Sequence, residues 1–248
     1  MRRLALLAVA AVVVLAGCGM LGSDPDPTRE QRAVDILDNA TDALAEVETL
    51  RSNSEITVTA GNRRVTGETA SVVDFEERRA RTTGTIQGTE TASYLVNNTA
   101  YVDCQQPWGW GMEEFDSDED WAAIASPAAR QLSMLDSGDL YWNGAETVDD
   151  TEAILLTGSP SEASFDQPSV GGSSSLDDAN LDDATVRLWL DTKNYRPIRS
   201  DIEFVISAEG ESATATVTTE FDSYDEPVTI DVPDEATRDP REHGCPGA

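Results

Sequence analysis

The hydrophobic positions of the chain repeat first with the period of a helix and then with the period of strands. Across residues 29–49 apolar side chains recur at spacings of three and four, which predicts an amphipathic helix with an acidic, solvent-facing side. Thr28 and Gln31 have the spacing of a capping box at its start. Beyond this segment the period changes to two, and Ile56 and Val58 alternate with polar neighbours as in a strand with one buried face.

Further strand-like segments follow at the short spacing of an antiparallel meander. They cover residues 66–75, 78–87, 90–96, 99–103, 140–148, 152–158, 186–190, 202–206, 213–221 and a short last strand at 228–232. Helical character interrupts them at 122–125 and 128–135, while the glycine-, serine- and aspartate-rich residues 159–183 predict a disordered, low-complexity loop. We therefore expect one domain over residues 28–237, followed by a tail over 238–248.

A basic start and an apolar run from Leu4 to Ala16 precede the first cysteine, Cys18. The run has thirteen residues, too few to span a bilayer, so residues 1–17 are predicted to be a signal peptide. The sequence Leu-Ala-Gly-Cys that ends at Cys18 resembles the lipobox at which prokaryotic lipoproteins receive a thioether-linked lipid. Residues 18–27 would then form a lipidated N-terminus and linker, and the exported protein would be anchored to the outer face of the membrane. The alternative is an ordinary secretory signal with an incidental cysteine.

Acidic residues outnumber basic ones throughout the chain. The sequence has 47 Asp and Glu residues against 17 Lys and Arg, a formal net charge of -30 at pH 7, so repulsion excludes a nucleic-acid partner. The acids are spread over predicted helices, strands and loops, a composition that resembles the proteins of extreme halophiles. Because salt screens such self-repulsion, we expect the fold to depend on it. Apolar residues still make up 39% of the chain, enough for a sizeable core.

Two stretches in the last third carry a family resemblance. One is the hairpin Leu188-Trp-Leu-Asp-Thr-Lys-Asn-Tyr-Arg-Pro-Ile198, and the other runs Thr218-Thr-Glu-Phe-Asp-Ser-Tyr-Asp-Glu-Pro-Val-Thr-Ile-Asp-Val-Pro-Asp234. Together with one helix, a long meander and a helical insertion, they resemble the LolA-like superfamily, in particular the lipid-carrying LppX/LprG type of lipoprotein. The resemblance spans about residues 29–236 and rests on turns and strand ends rather than on catalytic residues.

The resemblance implies an α+β fold in which a strongly curved antiparallel β-sheet, a half-barrel, wraps a long N-terminal helix and a short helical insertion. It also implies a cavity between sheet and helices that holds a lipid, an acyl chain or another apolar ligand. The candidate lining residues are Ile56, Val58, Leu132, Leu135, Leu188, Leu190, Phe204 and Ile206, with Trp110 at the mouth. The alternative for these side chains is that they fill the interior themselves. The other functions open to such a fold are an envelope sensor or protein-interaction module and a solute-binding accessory of a transporter.

Cys104 and Cys245 are the cysteines that remain once Cys18 carries a lipid. In an oxidising location an even pair favours a disulfide between them. Two free thiols or a shared metal site are the alternatives. The tryptophans that either grip a ligand or anchor an irregular loop are Trp108, Trp110 and Trp121.

The sequence offers little for catalysis or for a cofactor. It has no Gly-x-Ser-x-Gly elbow, and its single histidine, His243, lies in the predicted tail. The acidic runs 116–120 and 177–183 lack the spacing of a calcium-binding loop, so we expect no metal site. Asn39 and Asn97 begin sequons and are candidate glycosylation sites. We therefore expect a non-enzymatic protein without a cofactor.

Overall fold

The computed structural model describes residues 27–117, 119–165, 180–208, 211–242 and 244–245. The predicted signal peptide, Cys18 and nearly all of the linker lie outside these residues, as does His243. The helices are α1 (Gln31–Ala45), α2 (Trp121–Ala125), α3 (Pro127–Asp136) and α4 (Asp234–Arg238), with one turn of 3-10 helix at Glu162–Ser164. The strands are β1 (Thr49–Ala60), β2 (Arg63–Asp74), β3 (Arg79–Ile86), β4 (Thr89–Val96), β5 (Thr99–Asp103), β6 (Trp110–Glu114), β7 (Asp139–Val148), β8 (Thr151–Ser159), β9 (Asn180–Asp191), β10 (Pro197–Ala208), β11 (Glu211–Tyr224) and β12 (Arg241–Glu242).

One open sheet contains every strand of the described residues. Neighbouring strands follow the order β12-β6-β5-β4-β3-β2-β1-β11-β10-β9-β8-β7, and all pairs are antiparallel except β12 with β6. The sequence-adjacent strands form two meanders that join where β1 pairs with β11. The helices α1, α2 and α3 pack on one face, which is the concave side. The predicted α+β half-barrel around helices is therefore confirmed.

The main hydrophobic core lies where α1 and α3 pack on the concave face of β7–β11. Leu37 of α1 and Leu135 of α3 are fully buried there against Leu188 and Leu190 of β9. A smaller cluster forms under α2, where Trp121 packs on β2–β5. Each Å² of apolar surface removed from water stabilises a fold by about 25 cal/mol. Because the first cluster contains the most buried apolar side chains, it is the principal stabilising element of the fold.

A third cluster lies on the outer, convex face and corrects one predicted strand. Residues 228–232 are not a strand, although their apolar positions alternate. Ile230 is buried instead against Val72 and Tyr94, on the side of the sheet opposite to the helices. Pro227 and Pro233 bracket this segment and have no backbone N–H to donate. The strand β1 already pairs with β2 on one side and with β11 on the other, so the segment finds no free edge there and crosses the sheet without joining it.

Each edge of the sheet is met by a terminal segment of the described chain. Ahead of α1, Glu30 N donates to Leu140 O at 3.0 Å and Leu140 N donates to Thr28 O at 2.9 Å, so this segment runs along β7. At the other edge β12 pairs in parallel with β6, and Gly244 N donates to Met112 O at 3.0 Å. These contacts cover backbone groups that an edge strand would otherwise expose.

The same N-terminal contacts explain why the predicted helix start is wrong. The helix begins at Gln31, its N-cap residue Glu30 makes no side-chain cap hydrogen bond, and Thr28 does not form a capping box. Thr28 is instead drawn to β7, where its N–H donates to Asp139 Oδ1 at 2.6 Å. The helix ends at Ala45, four residues before the predicted end, because the chain turns there into β1.

Other differences from the sequence prediction concern short elements. The strand β6 is absent from the strands that the sequence predicts, because its five residues show no clear alternation. Residues 166–179 of the predicted loop 159–183 lie outside the described residues. The part of this loop before residue 166 is ordered, and Phe165 packs on Phe204 with ring centroids 6.0 Å apart. Part of the predicted tail forms β12.

The two stretches that carry the family resemblance meet at one end of the sheet. Tyr224 Oη donates to Pro197 O at 2.5 Å, and Arg196 Nη2 forms an ion pair with Asp225 Oδ2 at 2.7 Å. The Asp225 carboxylate also accepts from Glu48 N at 3.0 Å. These residues thus hold the β9–β10 turn, the end of β11 and the start of β1 together, a structural role.

This junction makes stability depend on pH in an acidic range. The hydrogen bond from Glu48 N, followed by Arg196, holds the pKa of Asp225 below its ordinary value, with burial acting in the opposite direction. A carboxylate with a lowered folded-state pKa stabilises the fold above its unfolded pKa, about 3.9, and loses that contribution as pH falls through the folded value. We expect Asp225→Asn to lower the urea midpoint at pH 6 and to lower it by progressively less as pH falls below about 3.9. An equal loss over this whole pH range would contradict this.

Candidate ligand-binding site

The half-barrel is filled on one side by the protein's own core. Leu135, Leu188 and Leu190 are fully buried and Leu132 is nearly so, all in the cluster between α1, α3 and the β7–β11 half of the sheet. Of the predicted cavity residues, these four are therefore core side chains. Phe204 also packs at the margin of this cluster.

The other side of the half-barrel contains a cavity, here called the concave cavity. It lies between α2–α3 and the strands β10, β11 and β1–β4, and its volume is about 240 Å³. The apolar lining residues are Ile56, Ala80, Leu95, Ala123, Ile124, Ala125, Pro127, Ile202 and Val217. The polar lining residues are Ser54, Thr69, Ser71, Thr82, Ser93, Ser126, Arg130, Gln131 and Thr219. Since pockets for drug-sized ligands have volumes of roughly 300–1,000 Å³, this smaller space suits a short group rather than a whole lipid.

The hydroxyl groups form two rows across the concave face. Strand pairing aligns Ser200, Thr219, Ser54 and Thr69 in one row and Ser52, Ser71, Thr82 and Ser93 in the next. We call these residues the hydroxyl belt. Ser54 Oγ and Thr219 Oγ1 are 2.9 Å apart, as are Ser71 Oγ and Thr82 Oγ1. Apolar rows that contain Ile56 on one side and Leu95 on the other flank the belt.

The helices above the belt contribute buried polar atoms. Gln131 is 2% exposed and Ser126 is 1% exposed. Within the described residues, neither Gln131 Oε1 nor Ser126 Oγ has a hydrogen-bond partner. Burial also lowers the pKa of the neighbouring Arg130, which has interactions of its own. An unsatisfied buried polar group costs about 1–3 kcal/mol, so both atoms are available to a bound polar group.

The remaining predicted lining residues are distributed differently. Ile56 lines the concave cavity. The strand register places Val58 and Ile206 on the same face, further along their strands, where both are half-buried outside the cavity lining. Trp110 lies on the convex face, packed on Tyr94 with centroids 5.9 Å apart, so its assignment to the cavity mouth is wrong.

A second depression, here called the helix cleft, lies on the other side of α2 and α3. Its volume is about 730 Å³. The apolar lining side chains are Leu37, Leu44, Ala45, Phe75, Trp121, Ala122, Ala129 and Leu132. The acidic ones are Asp38, Glu119, Asp120 and Asp136, and the basic one is Arg78. Trp121 Nε1 donates to Asn97 O at 2.5 Å, and Arg78 lies over the Trp121 ring at 5.2 Å. Trp121 therefore anchors α2 to the sheet and at the same time lines the cleft.

Cys104 and Cys245 form a disulfide in the structure. It joins the end of β5 to the C-terminal segment next to β12. Gly111 lies beneath it, and a Cβ atom there would lie 2.7 Å from Gly244 C and 2.9 Å from Cys104 Sγ. A glycine is therefore required for the C-terminal segment to approach β6.

Both sequon asparagines and one tryptophan lie on the surface. Asn39 and Asn97 are both exposed, the first on α1 and the second in the β4–β5 turn. Trp108 is 46% exposed beneath Arg241. Among the residues that the structure describes, no helix is long and apolar enough to cross a membrane, and no group of three or more His, Cys, Asp or Glu side chains could hold a metal ion.

Comparison with known proteins gives matches to solved structures only. No protein-family model and no curated protein sequence matches the chain. The lipoprotein LppX of Mycobacterium tuberculosis is similar in structure, with 14% identity, a TM-score of 0.48, and coverage of 84% of this chain and 100% of LppX. LprF of Mycobacterium bovis is similar with 15% identity and a TM-score of 0.45, over 85% of this chain and 99% of LprF. A chain of the MucA/MucB complex of Pseudomonas aeruginosa is similar with 14% identity and a TM-score of 0.35, over 76% of this chain and 57% of the matched chain. At this level of identity the similarity concerns the course of the chain and not its ligand.

Proposed function

We propose that this protein is a non-enzymatic binding protein that holds part of an amphipathic ligand of the lipid class in the concave cavity. The observation that carries the proposal is the partial filling of the half-barrel. The helices fill the β7–β11 half with their own leucines, whereas Ile56, Ile202 and Val217 line open space under α2–α3. Apolar surface that faces a cavity gains free energy when a ligand's hydrocarbon covers it.

The composition of the cavity supports binding rather than chemistry. Its described lining consists of aliphatic side chains, hydroxyls, one amide and one guanidinium, without a carboxylate, imidazole or thiol. General acid–base catalysis most often relies on those missing groups. The proposal includes export and attachment to the outer membrane face through Cys18, which the lipobox-like sequence supports.

Filling the cavity tests this function. Ile56→Trp places a larger side chain in the cavity, and we expect lipid that co-purifies with the protein to fall from near one molecule per chain to near none. Thr57→Trp is the matched control, because Thr57 is the next residue of β1 and faces the convex side. Native mass spectrometry and solvent extraction give the lipid ratio. A wild-type protein that carries no lipid and binds none on addition would contradict the proposal.

The helix cleft favours a second function, that of a protein-interaction module. Its volume of about 730 Å³ falls within the range of ligand pockets. An apolar floor beside four carboxylates suits a partner segment that carries apolar and basic side chains. The lipid measurement separates the two, since this function requires no bound lipid.

A further inference from the structure

We propose that the hydroxyl belt is a subsite for an uncharged, hydroxyl-bearing head group, such as a polyol or a sugar, so that the ligand's polar end is buried beneath α2–α3. This inference rests on the proposed binding function and specifies its ligand. It reverses the usual expectation that a hydrocarbon chain occupies the interior of such a cavity while the head group stays in water.

The first step of the argument is the amount of hydrogen-bonding capacity in the interior. Of the belt residues, Ser54, Thr69, Ser71, Thr82, Ser93 and Thr219 line the cavity. Ser71 and Thr219 are buried almost completely. Two pairs of these hydroxyls bond each other, Ser54 with Thr219 and Ser71 with Thr82. Each hydroxyl keeps further donor or acceptor capacity, which an aliphatic chain would leave unused. The lining is thus suited to a ligand group that both donates and accepts hydrogen bonds.

The second step is that two cavity-lining residues, Gln131 and Ser126, each have a buried side-chain oxygen without a hydrogen-bond partner among the described residues. Gln131 Oε1, on α3, accepts hydrogen bonds only. Ser126 Oγ, at the junction of α2 and α3, also lacks a partner among the described residues, and it can donate or accept a hydrogen bond. A ligand that carries O–H donors would satisfy both atoms at once.

The third step separates an uncharged head group from an anionic one. A phosphate or carboxylate offers acceptors, so it would leave Gln131 Oε1 unsatisfied, although Arg130 also lines the cavity. The net charge of -30 adds a general repulsion of anions. Both considerations favour hydroxyl groups over phosphate.

The subsite is also the right size for such a group. The cavity volume of about 240 Å³ lies below the roughly 300–1,000 Å³ of pockets that hold drug-sized ligands. It therefore suits a small polar unit, such as one sugar or polyol, rather than a long acyl chain. The hydrocarbon part of the ligand would then extend out along the apolar row of Ile56 and Val217.

Three eight-carbon amphiphiles test the proposal by calorimetry on the full chain, each below its micelle concentration. The probes are n-octyl glucoside, n-octyl phosphate and octyl methyl ether, which differ in donors and charge but share one tail. We expect the glucoside to bind at least about tenfold more tightly than either of the others, the gain of one to two hydrogen bonds. Gln131→Leu should weaken glucoside binding about tenfold and Thr82→Val about fivefold.

Thr83→Val is the matched control, because Thr83 is the next residue of β3 and lines a groove on the convex face. It should leave glucoside affinity within about twofold of wild type. Equal binding of glucoside and ether, with no effect of Gln131→Leu, would overturn the subsite while leaving the binding function intact. Tightest binding of the phosphate would overturn the uncharged head group. Binding of none of the three would contradict the binding function itself.

Discussion

Loss of the Cys104–Cys245 disulfide is expected to lower the free energy of unfolding by about 4 to 5 kcal/mol in the chain-entropy model. The bridge joins residues 141 positions apart, so it removes a large part of the unfolded chain's freedom. The Cys104→Ser, Cys245→Ser double variant should therefore unfold at a much lower urea concentration than wild type. The bridge also holds the C-terminal segment beside β6, together with the β12–β6 pairing and the hydrogen bond from Gly244 N to Met112 O, so its loss has a local component as well.

Reductant supplies the control for this prediction. It should shift the urea midpoint of the wild type towards that of the double variant and leave the double variant unchanged. Alkylation followed by mass spectrometry reports the thiols directly. If the oxidised wild type contains two free thiols at these positions, or if reductant leaves its midpoint unaltered, the bridge does not stabilise the protein in solution.

Removal of salt is expected to unfold the protein. With a net charge of -30, repulsion among carboxylates acts over about 30 Å at 0.01 M salt but over only about 3 Å at 1 M. The structure concentrates part of this repulsion on the convex face, where Glu55 of β1 stands directly opposite Glu68 of β2 and both are exposed. Like charges at directly opposed positions destabilise a sheet. Circular dichroism during stepwise dilution of KCl gives the midpoint.

A matched pair of variants locates the effect. Glu68→Gln removes one member of the opposed pair, whereas Glu152→Gln removes an equal charge that stands opposite Thr147. We expect Glu68→Gln to lower the KCl midpoint clearly more, by an amount that corresponds to about 0.5 kcal/mol. A folded spectrum in dilute buffer, or equal effects of the two variants, would show that opposed carboxylates do not set the salt requirement.

Much of the fold could be predicted from the period of apolar positions. The helix α1 and most of the long strands follow from it, because one side of each is buried over much of its length. The period failed where burial came from elsewhere. At residues 228–232 the alternation reflects packing of an irregular segment on the convex face. The strand β12 has only two residues, and its position depends on pairing with β6 and on the disulfide to the distant Cys104.

The candidate site was less accessible to sequence reasoning. The apolar candidates Leu188 and Leu190 are buried as expected, but whether they face a cavity depends on how far α1 and α3 fill the interior. The hydroxyl belt was missed because a serine in a strand is normally taken as a solvent-facing position. A signal was present, since Ser52 and Ser54 occur in phase with Ile56, the inward residue of the same strand. Only the register between strands shows that such positions form continuous rows.

The covered edges of the sheet also restrict how a partner could bind. Many proteins recognise an extended peptide by adding it as a further strand, which requires a free row of backbone N–H and C=O groups. Here the segment before α1 occupies the start of β7, and the rest of β7 has a register shift between Trp142 and Ala145, with Gly144 at a φ of 92°. At the opposite edge β12 and Gly244 occupy β6. Strand addition is thus blocked at the start of β7 and along β6. This favours recognition by side chains in the concave cavity or the helix cleft, where sequence can change specificity without rebuilding the sheet.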